Sequence, residues 1–220
     1  MRVSTPTECR WHFPSPDEWE EDDDVVAVGA DLEPDTLLYA YSHGMFPMFV
    51  DKKHTQLGWF SPVNRGVIPL DGLRVTRSMR QSARKFRCTL NASFTDVMVQ
   101  CATSHTQGNW IDDAFISAYS TLNKLGIAHS IEVWNDNDQL VGGLYGVRIN
   151  NFFAGESMFH HETDASKVAL MHLVDLMVLE GMTLLDTQWQ TEHLETLGCV
   201  EVPRPAYLQM LAEAVKSDVP

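Results

Sequence analysis

The sequence predicts an α+β protein. Three observations carry this. A meander of three strands is preceded by two amphipathic helical stretches, and it is followed by a helix that is apolar nearly all round. After that helix the chain reads strand, helix, strand, helix. At 220 residues it can bury a full-sized core, and a change in character near residue 63 suggests a small N-terminal domain, 1–63, before a larger one, 64–220. Most of the strands are expected to pair antiparallel.

The elements follow in order. Residues 14–24, PSPDEWEEDDD, are acidic and turn-rich and read as a solvated loop. VVAVGADLEP is a short apolar run closed by Gly29 and Pro34. PDTLLYAYSHGMF is a helix, with Pro34 in its first turn and Gly44 at its end. Residues 46–69 are rich in Pro, Gly and aromatics without periodicity and read as a structured loop. NASFTDVMVQCA carries helical spacing behind a cap-type Asn91, and DDAFISAYSTLNKLG is a second helix stopped by Gly126. AHSIEVW, QLVGGLYGVRI and NNFFAGESM form the meander, with the turn NDND between the first two. DASKVALMHLVDLMVLEG is the buried helix. TLLDTQW is a strand, EHLETLG a short helix, CVEVP a last strand and PRPAYLQMLAEAV a closing helix.

Composition narrows the function. Apolar content of 44% with 21% charged residues is that of a globular protein, and no apolar run is long enough to cross a bilayer. The N-terminus has no apolar core of a secretion signal, and four scattered cysteines fit a reducing cytoplasm. His160, His161 and Glu162 do not make HExxH and read as a polar loop, so no metal site is expected. The net charge of −14 argues against a general grip on nucleic acid. Yet RVTRSMRQSARKFR, residues 74–87, gathers six of the sixteen Lys and Arg residues and no acid. That is either a solvated helix face or a local cationic patch.

Two acids sit where acids need a reason. In LLDTQWQ, strand alternation aims Asp186 and Gln188 the same way. Asp186 either faces solvent from an edge strand or holds a neighbouring amide in a site. In NNFFAGESM the same alternation puts Ala154, Glu156 and Met158 on one face, and Glu156 is either a satisfied core acid or part of a site. Gly142, Gly143 and Gly146 mark either a twist or bulge, or the close approach of a substrate backbone.

These pieces carry a resemblance. VGADLEPDTLLYAYSHGMFPMF, GWFSPVNRGVIP, RVTRSMR, NWIDD, AHSIEVW, VGGLYGV, FFAGESMFHHETDASKVAL, LLDTQ and LGCVEVPR stand in the order seen in the leucyl/phenylalanyl-tRNA protein transferases. The sequence resembles that family over roughly residues 11–210, and GESMF, ASK and DxQ at their spacing are highly specific. The resemblance implies a small N-terminal domain followed by a GNAT-like domain, the fold of the Gcn5-related N-acetyltransferases. It implies transfer of Leu or Phe, or Met, from aminoacyl-tRNA to the α-amine of proteins beginning with Arg or Lys, marking them for N-end rule degradation. It implies no cofactor, a bacterial cytoplasmic location and a monomer.

Site residues follow by the same resemblance. Arg74, Arg77, Arg80, Arg84 and Lys85 would take the phosphates of the tRNA acceptor end, with Arg87 at their edge. Trp110 would stack on adenine, and Met48 stands where the family usually has a second Trp. Trp59 and Phe60 could add to this or serve the core. Leu144, Met158, Leu170, Leu173, Met177 and Leu185 would line the pocket for the Leu or Phe side chain, although core packing explains all of them equally well. Leu185 stands apart, because a regular strand turns it away from Asp186. Asp186 would hold Gln188, whose carbonyl oxygen accepts a hydrogen bond from the attacking amine, and Glu156 would bind substrate and polarise the ester or amine region. Two rivals remain: an acyl-CoA acetyltransferase and a non-enzymatic RNA-binding module. The connection ESMFHHETDASK has no Gly to cradle a pyrophosphate, which counts against the first.

Overall fold

The computed structural model describes residues 9–51, 53–104 and 111–216. After a 3-10 turn at Pro16–Glu18 come β1 (Val25–Val28), α1 (Pro34–Ser42), β2 (Phe46–Phe49) and β3 (Leu57–Phe60). The three strands make a small antiparallel sheet in the order β1-β3-β2. Pro34 occupies the start of α1, where a missing N–H costs nothing, and Gly44 ends it at φ +82°. The expected loop at 46–69 is therefore corrected: it holds β2, β3 and β4 (Asn64–Ile68). Pro47 is compatible with β2 because that strand lies at a sheet edge.

The second sheet has seven strands. They are β4, β5 (Arg87–Leu90), β6 (Ala128–Trp134), β7 (Leu140–Ile149), β8 (Phe152–His160), β9 (Leu184–Asp186) and β10 (Val200–Pro203), in the order β10-β4-β9-β8-β7-β6-β5. Every neighbouring pair is antiparallel except β8 with β9, which is parallel. The expected α+β class with a mixed, mostly antiparallel sheet is what the chain adopts.

The other helices are α2 (Arg77–Ala83), α3 (Phe94–Ser104), α4 (Asp113–Lys124), α5 (Ala165–Leu179), α6 (Glu192–Thr196) and α7 (Arg204–Ala214). Asn91 does not cap α3. It ends β5 in the left-handed region, and its Oδ1 accepts the Ser130 N–H at 2.9 Å, while the Ser93 carbonyl takes the first helical hydrogen bond, from Val97. Asp112 caps α4 by accepting the Phe115 N–H at 3.0 Å.

Helix α5 makes no side-chain cap at Asp164. A cap contributes about 1 kcal/mol. Its buried residues, among them Leu170, Leu173, Val174 and Met177, contribute roughly 1.5–3 kcal/mol each. Packing therefore decides this helix. It is not buried on every side: Val178 and Leu179 at its end are exposed.

The seven-stranded sheet has two unlike faces. On one lie α5 and Met79 of α2, packed with Ile131, Val133, Leu144, Phe153 and Leu185. On the other, residues of α1, α3, α4, α7 and the small sheet share a continuous core with Tyr145, Val147, Phe152 and Ala154.

Candidate active site at the seam between two strands

Strands β8 and β9 pair only from Phe152–Leu184 to Ala154–Asp186. Beyond that they part. On β8 the ladder to β7 slips there, passing from Gly146–Gly155 to Tyr145–Ser157 and leaving Glu156 as the extra residue of a bulge. The bulge reverses the phase of the strand. Ala154 packs on the core beneath the small sheet, and Met158 packs on the α5 side. The expectation that Ala154, Glu156 and Met158 share one face is corrected by this one inserted residue.

Strand β9 also ends earlier than expected. Gln188 lies outside it at φ +58°, a left-handed conformation that a non-Gly residue keeps only when its surroundings hold it. Three contacts do so. Its N–H donates to Asp186 Oδ1 at 2.9 Å, its carbonyl accepts from Gly66 N at 2.9 Å, and its Nε2 donates to Glu156 Oε1 at 3.1 Å. Gly66 on β4 is required here, since a Cβ would lie 2.7 Å from the backbone of Trp189. The side-chain bond between Gln188 and Glu156 thus bridges the gap that the two strands open. It leaves Gln188 Oε1 without a donor among the described residues.

Asp186 lies on an interior strand and is fully buried, not surface-facing. Arg65 of β4 grips it with two bonds, Nε to Oδ1 at 2.8 Å and Nη2 to Oδ2 at 2.6 Å. Tyr207 of α7 donates to Oδ2 at 2.8 Å. Arg65 is itself sandwiched between Phe46 and Tyr207 and donates its last arm to the Gly44 carbonyl at 3.1 Å. Burial works against its charge and Asp186 works for it, with a net upward shift. Such a pair tolerates burial because every polar atom is matched. Asp186 reaches Gln188 through the backbone N–H, which fixes the position of the amide.

Glu156 has a different setting. Burial pushes its carboxyl up to about 8, against a hydrogen bond from Tyr41 that lowers it and Asp186 nearby that raises it further. Tyr41 of α1 and Tyr119 of α4 are hydrogen-bonded to one another through their hydroxyls, and Tyr145 of β7 lies edge-on to Tyr119. Burial holds both Tyr41 and Tyr119 well above the ordinary phenol range, so they stay neutral donors.

The six apolar candidates come together. Leu144, Leu170, Leu173, Met177 and Leu185 belong to one cluster on the α5 side, with Met158 packed against it. Leu185 does turn away from Asp186, and that direction places it with the other five. Leu173 and Met177 also border a cavity of about 60 Å³ beside Phe153 and Met182, rimmed by the Arg148–Glu180 ion pair. The glycines of β7 meet the protein's own atoms: a side chain at Gly146 would strike the Ala154 carbonyl and the Phe153 ring.

The basic segment is partly helical. Arg77 and Arg80 lie on α2, Arg84 caps its end, Lys85 follows, and Arg74 precedes it. All five are exposed, and none forms an ion pair among the described residues. Arg74 donates to the Glu195 carbonyl at 3.3 Å. Arg87 instead opens β5 and pairs with Asp138. Met79, between the arginines, is buried in the same cluster as Leu144 and Leu173, and Ser82 donates to Asp164 at the head of α5 at 3.1 Å. The basic face therefore flanks the apolar cluster. Met48 is half-buried on β2, while Trp110 lies outside the described residues. Trp59 is fully buried and donates to the Gly29 carbonyl, a core role. His161 meets Gln100, and Glu162 accepts from Asn135.

Sequence reasoning missed Arg65, Tyr41, Tyr119 and Tyr207. A lone arginine inside the short run NRGVI was the available signal for Arg65. Tyr119 shares a helical face with Phe115 and Leu122, which read as core.

A family model described as leucyl/phenylalanyl-tRNA protein transferase matches residues 67–212, and one for that family's N-terminal domain matches 30–63. The chain belongs to the leucyl/phenylalanyl-tRNA protein transferase family. A leucyl/phenylalanyl-tRNA protein transferase of Pseudoalteromonas atlantica is 47% identical over 210 residues, covering 93% of this chain and 88% of the relative. One from Tolumonas auensis is 43% identical over 214 residues, covering 95% and 90%. Among solved structures, a GCN5-related N-acetyltransferase-like protein from Streptococcus suis overlaps 63% of this chain and 57% of its own, with a TM-score of 0.35 and 13% identity. As a member of this transferase family the chain is an aminoacyltransferase, and its substrates are an aminoacyl-tRNA and an acceptor protein.

Proposed function

We propose that the chain moves Leu or Phe, or Met, from aminoacyl-tRNA to the α-amine of proteins beginning with Arg or Lys, marking them for N-end rule degradation, and that the reaction takes place at the β8–β9 seam. The observation that carries this reading is the Gln188–Glu156 bridge across the gap, with an apolar cluster on the α5 side and a fixed carboxylate behind. Leu144, Met158, Leu170, Leu173, Met177 and Leu185 receive the donor side chain. Arg74, Arg77, Arg80, Arg84 and Lys85, exposed beside that cluster and without an ion pair among the described residues, take acceptor-stem phosphates. Trp110 and Met48 cover the adenine. Residues 1–63 and 64–220 act as the two working parts of a cytoplasmic monomer.

The donor ester is already activated, so positioning supplies most of the catalysis. A free α-amine has a pKa near ~8, and its neutral fraction attacks the ester carbonyl carbon. Gln188 Oε1, without a donor among the described residues, accepts one N–H of that amine and aims its lone pair. A C–N bond forms and the bond to the ribose oxygen breaks. The nitrogen gives up one proton, and the ribose oxygen ends with one. Glu156 holds the amine and polarises the reacting region, and Asp186 acts at one remove by fixing Gln188.

The direct test is transfer of labelled Leu from Leu-tRNA to a peptide beginning with Arg, set beside one beginning with Ala. Transfer to the first alone is expected, and equal transfer or none contradicts the reading. Gln188→Ala should lower kcat/KM on the order of 10²-fold while tRNA binding stays intact. Full transfer by that variant removes Gln188 from the mechanism.

A further inference from the structure

The cavity of about 60 Å³ on the α5 side of the sheet has no part in the reaction above. Ile131, Phe153, Leu173, Leu176, Met177 and Met182 line it. Leu173 and Met177 also belong to the proposed donor pocket. Two more pocket residues are strand neighbours of the lining: Leu144 pairs with Ile131, and Leu185 with Phe153. The cavity therefore continues the pocket along the sheet, away from the β8–β9 gap and toward the end of α5. Its origin lies in β7. Strand alternation puts Leu144, Gly146 and Arg148 on one face, and the middle position carries no side chain. The Phe153 ring lies across it, 2.4 Å from where a Cβ would stand. At the rim is the Arg148–Glu180 ion pair. Protein interiors are close-packed, so a void at the foot of a binding pocket calls for an occupant.

We infer that this cavity sets the preference between donors: it takes the far edge of a Phe side chain, and Met182 and Phe153 are specificity-determining residues. This rests on the proposed function. The size suits an increment and not a whole ligand. A volume of about 60 Å³ is roughly twice the ~30 Å³ share of one water in the liquid. That is room for a few carbon atoms and too little for a free aromatic ring. A benzyl side chain entering through the pocket outreaches an isobutyl one by a few carbon atoms. The lining suits a ring as well. Met177 and Met182 are unbranched, and their thioethers adapt to a ring and meet its edge favourably. Phe153 offers a second ring for offset or edge-on contact. A Leu donor leaves the cavity empty, and a Phe donor fills it.

The experiment measures kcat/KM for Phe-tRNA and for Leu-tRNA with one Arg-initiated peptide. The ratio of the two cancels any change in the amount of folded enzyme. Met182→Phe adds bulk to the lining and should lower the ratio of Phe to Leu about tenfold. A crystal structure of the variant checks that the cavity is filled. Val133→Ile crowds the same apolar cluster away from the cavity lining and should leave the ratio where it is. An unchanged ratio in Met182→Phe with the cavity filled, or an equal shift in Val133→Ile, overturns the inference. If Met182→Phe does not fold, Leu176→Phe at the same cavity decides by the same criterion. Transfer of neither donor by the unsubstituted protein would instead overturn the function on which the inference stands.

Discussion

On the α5 side of the seven-stranded sheet the core layer is apolar from Val141 to Met177. On the opposite side Arg65, Asp186, Glu156 and four tyrosines share the layer with aromatic rings. The two faces are held by different physics. The apolar face gains from every buried methylene, and its side chains can exchange with others of similar volume. The polar face depends on complete satisfaction: four donor contacts converge on Asp186, and losing any one strands a buried group. The opening between β8 and β9 lies where the two layers meet, and the Gln188–Glu156 bond spans it.

This contrast can be broken most severely at Arg65. Arg65→Ala leaves the Asp186 carboxylate buried without its cation, and a loss of about 3–5 kcal/mol is expected in urea unfolding. Replacing both partners with apolar residues should not restore stability, because the Tyr207 hydroxyl and the Gln188 N–H would then lack acceptors. On the apolar face, Leu173→Ala should cost about 2–5 kcal/mol by the same measurement. Its neighbours already border a cavity and cannot easily collapse. A smaller loss than Arg65→Ala, with the transfer rate falling mainly through the donor KM, would sharpen the comparison.

A gentler probe is pH. The Glu156 carboxyl is raised from its ordinary 4.5 to about 8 in the fold. The unfolded chain therefore binds fewer protons than the folded one between those values, and this group makes stability fall as pH rises from about 4.5 to about 8. Unfolding midpoints taken across that window should slope downward, and Glu156→Gln should flatten the slope. An unchanged slope in the variant would assign it to other groups. The smallest effect belongs to the exposed arginines. Arg84→Ala should change stability by less than about 0.5 kcal/mol, yet lower the salt dependence of tRNA binding by about one unit of slope.

The meander β6, β7 and β8 was legible because its alternation has period two and its turns carry Asn, Asp and Gly. Strands β2, β3 and β4 were not, since Pro47, Gly58 and Gly66 interrupt any period. Strand β5 was hidden because it is four residues long and begins on the last residue of the basic run, Arg87. At the site, the acids were visible as misplaced charges, but the chain could not show how they would be met. Arg65 and Asp186 are separated by 121 positions, and Tyr41 and Tyr119 by 78.

By itself, then, the sequence determined the class of the fold, the family and the residue types that a transfer site needs, because periodicity and motif are local properties. Tertiary structure alone decided that one bulge residue reverses β8, that Gln188 leaves its strand, and that Asp186 is locked while Glu156 is held near neutrality. Those outcomes come from desolvation and from partners brought together across the fold, and burial is a property that no short stretch of chain possesses alone.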